Sequence, residues 1–139
     1  MRIWSKRLIS VLPNKQLKAM RYELGDMIKQ YPNIKNSLVK YANNYDMCYL
    51  GRYFLLVLKE CFDRGIKTSD KYDNEILDII MNHTKFSDEI YYEDYTFEED
   101  NDRYLKQCYY NLQEKYDRGI ITFDEWRKIK QEMLGVLYE

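Results

Sequence analysis

Residues 13–31 read PNKQLKAMRYELGDMIKQY, and they predict a long amphipathic helix on which the rest of the chain can pack. Pro13 suits the first turn of a helix, and Pro32 disfavours helical backbone in the residue before it. Between these limits, apolar residues recur at spacings of three and four, which is the period of one helix face. The predicted buried face consists of Leu17, Met20, Leu24, Met27, Ile28 and Tyr31.

The helical period continues along the whole chain, and no alternation of period two competes with it. Glycine and proline are scarce, with 5 and 2 residues. Gly65 and Gly119 are expected to end helices, and Thr122 with Glu125 forms a capping box for the last one. We expect an all-α fold, with residues 1–139 forming a single compact domain of about five helices and an extended N-terminal segment packed on them. Beyond the first helix, the other four long helices are predicted at 46–64, 69–82, 101–118 and 123–137, and a short additional helix at 34–42.

The predicted helix at 46–64 holds the longest apolar run of the chain, residues 53–58. This run is far short of the roughly 20 residues that a membrane span requires. The charged opening MRIWSKR leads to no signal-peptide pattern. We therefore expect a soluble, cytoplasmic protein with no membrane partner. The residues predicted to be buried in this helix are Met47, Leu50, Phe54, Val57, Leu58, Cys61 and Phe62.

Cysteine and histidine usage favours neither a disulfide framework nor a metal site. Cys48, Cys61 and Cys108 are odd in number and widely spaced, which fits reduced core residues. His83 is the single histidine, so two-histidine metal motifs are excluded, and we interpret it as an ordinary helix-end residue. We expect no cofactor and no metal, and a monomer is the default oligomeric state.

The net charge of −1 conceals two halves of opposite sign. Residues 1–67 carry 13 Lys and Arg against 5 Asp and Glu, a net of +8, and residues 68–139 carry 9 against 18, a net of −9. A basic half is typical of a phosphate-binding surface, but the two halves could equally pair with each other. Residues 88–102 include eight acidic residues and no basic one, interleaved with aromatics. We interpret them as a solvated loop held down by its aromatic side chains, with a metal-binding or DNA-mimic role as the alternative.

The N-terminal stretch MRIWSKRLISVLPNKQLKAMRYE combines an α-amine, several basic residues and a carboxylate, Glu23. The pKa of an α-amine is about 7.7–8.0, against about 10.4 for lysine, so a useful fraction of it is uncharged near neutral pH. At 100° per residue, Glu23 falls on one flank of the apolar face of its helix and Arg21 on the other. Glu23 should therefore lie at the rim of the core. We predict that Trp4 packs on the first or second helix and so fixes the amine in position.

Three segments of the chain resemble the pyrimidine-dimer DNA glycosylases of the phage endonuclease V type. They are MRIW at the terminus, QLKAMRYEL around Glu23, and NYDMCYLGRYFLLVLKECFDRGI at 44–66. The resemblance covers about the first 67 residues. It implies that the amine of Met1 attacks the sugar C1′ of a damaged nucleotide, displaces the base and forms a Schiff base, after which β-elimination cuts the strand. It also implies that Glu23 is the catalytic carboxylate and that Arg2 contacts a phosphate or sugar.

The function implied is that of a DNA-repair glycosylase with associated AP-lyase activity, acting on double-stranded damaged DNA such as a pyrimidine dimer. The alternative is a catalytically inactive relative that serves as a helical DNA-binding or protein-interaction module. Tyr22, which stands where the family usually has arginine, Asp26 and the acidic second half favour this alternative. The residues expected to contact DNA are Arg2, Lys6, Arg7, Lys15, Lys18 and Arg21.

Overall fold

The computed structural model describes residues 3–84 and 94–137, and these ranges contain five α-helices and two 3-10 helices. No strand occurs within them, so the all-α prediction is confirmed. The α-helices are α1 (Asn14–Gln30), α2 (Met47–Asp63), α3 (Asp70–His83), α4 (Asp102–Asp117) and α5 (Phe123–Leu137). The 3-10 helices are η1 (Lys6–Val11) and η2 (Lys40–Asn44).

Helix α1 packs against α2 and α3, and its buried face is the one predicted from the apolar spacing. Five of the six predicted residues are buried, and Tyr31 is half-buried. One contact with α3 depends on Gly25, because a Cβ built there would lie 2.0 Å from the hydroxyl of Tyr72. The absence of a side chain at Gly25 therefore lets Tyr72 lie directly on the backbone of α1.

Helix α2 begins and ends close to the predicted positions. The Asp46 side chain accepts a hydrogen bond of 2.9 Å from the Cys48 amide, and Gly65 follows the helix with φ of 71°. The prediction that Phe62 is buried is wrong, since 83% of its surface is exposed. Phe62 lies about 100° round the helix from the buried Cys61, which carries it off the face that meets the core.

The segment before α2 is not the short helix predicted at 34–42. Its helical part is η2, which begins at Lys40. The side-chain amide of Asn43 instead bonds both the backbone N–H and the carbonyl of Ile34, each at 2.9 Å. An asparagine side chain competes in this way with helical backbone bonds, and here it ties the two ends of the segment together.

The helix η1 was not predicted, and a single arginine after α2 holds its end. Arg64 donates from its guanidinium to the backbone carbonyls of Leu12 at 2.6 Å and Ser10 at 3.1 Å. Its Nε also donates to Glu60 at 2.8 Å. The segment ECFDRGI therefore has a structural function, because its arginine satisfies carbonyls at the end of η1 that have no partner within that helix.

Helices α3, α4 and α5 confirm the three remaining predicted helices to within one or two residues at each end. The Thr122 amide bonds Glu125 Oε1 at 2.9 Å and the Glu125 amide bonds Thr122 Oγ1 at 3.2 Å, which is the predicted capping box. His83 is the last residue of α3, as expected. The three cysteines are free and buried, which confirms the prediction of reduced core residues.

The acidic stretch 88–102 is described from Asp94 onward, and its residues 88–93 lie outside the described residues. Its aromatic side chains hold it down as predicted, because Phe97 is buried among the rings of Tyr41, Tyr45, Tyr49 and Tyr53. The interpretation as a solvated loop is wrong for Asp100. This carboxylate is partly buried and accepts hydrogen bonds from three groups of the core and the N-terminal segment.

Candidate active site

We call residues 3–13, which precede α1, the N-terminal segment. A cavity of about 350 Å³ lies where this segment, α1 and α4 meet. Glu23 lines this cavity and is half-buried, as its position on the flank of the apolar face predicted. Trp4 lines the same cavity and is only 8% exposed. Because Ala19 and Met20 of α1 share this lining, the position of Trp4 agrees with the predicted packing on the first helix. The structure thus brings Trp4 and Glu23 to one site.

The same cavity has a second wall that comes from the acidic half of the chain. The second half of α4 and the residue that follows it contribute two cations, Lys115 and Arg118, and two further polar side chains, Asn111 and Glu114. Sequence reasoning missed this wall, since solvated charges near a helix end carry no signal of a site. The α4 spacing of three and four residues places these side chains on one face, but only the packing of α4 decides what that face meets.

A second cavity, of about 360 Å³, borders Glu23 on another side. It is lined in part by Asp26, Gln30 and Lys35. Asp26 lines this second cavity and not the one that contains Trp4. The two carboxylates therefore stand one turn apart on the same helix. Glu23 borders both cavities and lies beside the N-terminal segment, whereas Asp26 borders the second cavity and not the first.

The backbone that leads into the site is held on both sides of Trp4. On one side, the hydroxyl of Tyr104 donates to the carbonyl of Ile3. On the other side, Asp100 accepts from the Ser5 hydroxyl at 2.6 Å and from the Lys6 amide at 2.8 Å. These bonds fix the path of the described N-terminal residues past the cavity.

Burial around these bonds favours the protonated form of the hydroxyl and thiol groups. The pKa of Tyr53 is raised, first by burial and then by the charge of Asp100 beside it. Burial likewise raises the pKa of Tyr104 and raises that of the Cys108 thiol to about 11. Tyr53 and Tyr104 are therefore hydrogen-bond donors at neutral pH, as their bonds to Asp100 and to the Ile3 carbonyl require.

Two of the basic residues expected to contact DNA are paired with carboxylates of the acidic half. The Lys6 ammonium contacts Asp94 and donates to the Thr96 hydroxyl at 2.8 Å, and that hydroxyl donates to Asp94 at 2.7 Å. The two bonds that Asp94 accepts, from Lys6 and from Thr96, lower the pKa of its carboxyl. Arg7 pairs with Asp102 at 2.7 Å. At this end of the molecule the basic and acidic halves pair with each other. Internal pairing is one of the two interpretations of the charge asymmetry, and the other is a phosphate-binding surface.

Lys15 and Lys18 lie on α1, and the structure places them differently. Lys15 is exposed and lines the cavity beside Glu23. Lys18 is exposed on the same helix and faces solvent.

The structure places Arg21 where a DNA contact is not accessible. Its side chain is 3% exposed and pairs with the carboxylate of Asp73 at 2.6 Å. The guanidinium also lies over the rings of Tyr22 and Tyr72. A guanidinium that is buried between two rings and paired with a carboxylate is not accessible to a phosphate, so the prediction that Arg21 contacts DNA is wrong.

Met1 and Arg2 lie outside the described residues, so their predicted functions stay predictions. In the part of the chain that the structure describes, no group of three His, Cys, Asp or Glu side chains is arranged to hold a metal ion. No helix there combines the length and apolar character needed to cross a membrane.

Comparison with known proteins identifies the first half of the chain. A search of curated proteins and a search of solved structures gave no match. The family model described as pyrimidine dimer DNA glycosylase matches residues 1–74, which is more than half of the chain and includes Trp4, Glu23 and Arg64. The chain belongs to the pyrimidine dimer DNA glycosylase family.

Proposed function

We propose that this protein is a DNA glycosylase with associated AP-lyase activity, and that it acts on a damaged nucleotide in double-stranded DNA. The observation that carries the proposal is the cavity in which Glu23 stands beside Trp4 and the N-terminal segment. Family membership supports the class of reaction. The cavity volume falls within the usual range of small-ligand sites, about 300–1,000 Å³, and so suits a nucleotide extruded from the helix.

The nucleophile in this proposal is the α-amine of Met1. Its lone pair forms a bond to C1′ of the damaged nucleotide, and the bond between C1′ and the base breaks with the electron pair leaving on the base. Loss of a proton from nitrogen and opening of the sugar ring at O4′ give a Schiff base. Removal of a proton from C2′ then expels the 3′ phosphate by β-elimination. An α-amine suits this chemistry because much more of it than of a lysine amine is uncharged at neutral pH.

Glu23 would act at two of these steps. Its carboxylate stabilises the positive charge that develops on the sugar as the base leaves, and it carries protons during ring opening and elimination. A half-buried position suits both tasks, because partial exclusion of water strengthens its interaction with a developing cation. The carboxylate is already placed by α1, whose apolar face fixes the helix against α2 and α3.

The proposed phosphate contacts are Arg2, Lys15 and Lys18. Lys15 lines the cavity, and Lys18 is exposed on the same helix. Lys6 and Arg7 are paired with carboxylates of the acidic half, so we assign them to holding the N-terminal segment. Contacts of lysine and arginine with phosphate provide affinity that falls with salt and does not depend on sequence.

Borohydride trapping on duplex DNA that carries an abasic site tests the proposal. Reduction converts the Schiff base into a stable covalent adduct, and an untagged protein is compared with a variant that has one residue added before Met1. We expect the unmodified protein to be trapped and the extended variant not to be, because the extension moves the amine away from Glu23. Parallel assays on DNA with a pyrimidine dimer then ask whether this is the base lesion removed.

Glu23→Gln and Asp26→Asn form a matched pair of variants on one helix. We expect Glu23→Gln to slow strand cleavage by about 100-fold or more, the usual contribution of a positioned acid or base. Asp26→Asn should leave the rate unchanged, since Asp26 does not line the cavity in which Glu23 stands beside Trp4. If the protein binds DNA and forms no covalent adduct under borohydride, the proposal is wrong. The chain would then be an inactive relative that acts as a helical DNA-binding or protein-interaction module.

A further inference from the structure

The N-terminal segment is held by the half of the chain that the family model does not match. The family match ends at residue 74, whereas Asp100 and Tyr104 lie well beyond it. Together they bond the backbone or side chains of Ile3, Ser5 and Lys6. The part of the chain that carries the amine therefore depends for its position on residues outside the family segment.

We infer that Asp100 is the positioning residue that holds the N-terminal amine in register with Glu23, an inference that rests on the proposed function. Asp100 Oδ1 accepts from the Ser5 hydroxyl at 2.6 Å. Its Oδ2 accepts from the Lys6 amide at 2.8 Å and from the Tyr53 hydroxyl at 2.6 Å. One carboxylate thus joins two consecutive residues of the N-terminal segment to a side chain of α2.

The three donors show why a carboxylate is needed at this point. Ser5 and Tyr53 are fully buried, and Tyr53 belongs to α2, the most apolar helix of the fold. A carboxylate accepts hydrogen bonds at both oxygens and donates none, so it satisfies all three donors at once. An asparagine would present an N–H group to at least one of them, and that donor would lose its bond or turn away.

The geometry of the chain converts this anchoring into placement of the amine. Ile3 is bonded by Tyr104 on one side of Trp4, and Ser5 is bonded by Asp100 on the other. In the proposed function the reacting amine belongs to Met1, so movement of the backbone at the anchored Ile3 is passed on to the amine through two peptide bonds. A displacement of about 1 Å at a reacting group can cost about 100-fold in rate. Loosening the anchor therefore acts on the reaction without any change at Glu23.

The acidic residues around Asp100 complete the anchor. Asp94 contacts the Lys6 ammonium and Asp102 pairs with Arg7 at 2.7 Å. Phe97, between them in sequence, is buried in the aromatic cluster and fixes the loop on α2. The segment 94–102 is thus a clamp on residues 5–7, with Asp100 at its buried centre and two ion pairs toward its exposed edges.

The test measures single-turnover borohydride trapping of the untagged protein on abasic-site DNA, and it compares Asp100→Asn with the unmodified protein. We expect the trapping rate constant at saturating DNA to fall by about 10–100-fold. DNA affinity should fall by less than the trapping rate constant, because two of the three proposed phosphate contacts, Lys15 and Lys18, lie on α1, and Arg2 alone belongs to the segment that Asp100 holds. A variant that was merely less stable would show a smaller folded fraction with the rate of the folded protein unchanged.

Two further variants separate positioning from loss of fold. Tyr104→Phe removes only the hydroxyl that bonds Ile3 and should also slow trapping, so the inference is tested even if Asp100→Asn does not fold. Asp73→Asn removes a different buried carboxylate, one that does not contact the N-terminal segment. Per folded molecule, it should be trapped at the rate of the unmodified protein.

Amide hydrogen exchange provides a readout that does not require activity. In Asp100→Asn the Lys6 amide should exchange at least tenfold faster, while amides in the middle of α1 and α2 keep their protection. Unchanged trapping in both Asp100→Asn and Tyr104→Phe, or an unchanged Lys6 amide, would overturn the inference. Failure to trap the unmodified protein would instead overturn the proposed function, and the Lys6 amide would still report whether Asp100 fixes the segment.

Discussion

Replacing Arg21 by methionine tests whether this arginine stabilises the fold or contacts DNA. The guanidinium donates to Asp73 at 2.7 Å and lies 4.7 Å and 5.0 Å from the ring centroids of Tyr22 and Tyr72. Methionine fills a similar volume and removes the charge. The Asp73 carboxylate, 7% exposed, then keeps the hydroxyl of Thr68 at 2.6 Å but loses its cation.

Removal of one partner of a buried ion pair costs about 3–5 kcal/mol, because a buried charge is left uncompensated. The lost contacts with the two rings add about 1 kcal/mol. We therefore expect Arg21→Met to lower the free energy of unfolding by about 5 kcal/mol, and Tm by about 15 °C for a chain of this size. The double variant Arg21→Met with Asp73→Asn should recover about 2 kcal/mol, since the remaining buried group is then neutral.

Urea unfolding at pH 7, followed by circular dichroism, measures these differences, and the salt dependence of DNA binding supplies the comparison. Removing a phosphate contact would reduce the slope of log K against log salt by about one and leave stability nearly unchanged. If Arg21→Met shows that reduced slope and a loss of stability below about 1 kcal/mol, the structural assignment of Arg21 is refuted.

Two further predictions concern stability. Arg64→Lys should lower the free energy of unfolding by about 1–2 kcal/mol, because a lysine cannot donate to the Leu12 and Ser10 carbonyls at the same time, as the guanidinium does. Urea titrations measure this loss, and a change within experimental error would contradict the prediction. Alkaline pH should also destabilise the fold, since burial raises the pKa of Tyr53 and Tyr104 and raises that of Cys108 to about 11. Groups with raised pKa stabilise the folded state fully below their unfolded pKa, about 8.5 for the thiol and 10 for the phenols, and this contribution is lost as pH rises. Unfolding free energies at pH 8 and pH 10.5 measure the loss, and equal values would contradict the reasoning.

The charge pattern shows where sequence reasoning had to leave a choice open. The excess of basic residues in one half and of acidic residues in the other is visible in the sequence, but it fits both DNA binding and internal pairing. Lys6 and Arg7 meet carboxylates that lie about 90 residues further along the chain. Lys15 on α1 instead lines the cavity beside Glu23. Pairings between residues so distant depend on how the helices pack, which no local pattern encodes.

The sequence by itself determined the five α-helices, several of their ends and the family. The spacing of Leu17 to Ile28, the glycine after α2 and the capping box of Thr122 act over a few residues, so they can be read without the fold. The same is true of Glu23 at the rim of the α1 face, because helical geometry alone places it there.

Only the tertiary structure decided what surrounds that carboxylate. It brought the α4 residues Asn111 and Lys115 to the cavity of Glu23, buried Arg21 against Asp73, and made Asp100 a partner of Ser5. Each of these arrangements joins residues more than 45 positions apart in the chain, and each depends on which faces of α1, α3 and α4 meet. Local propensity fixes the faces that a helix offers, while the packing of the whole core selects the partner that each face receives.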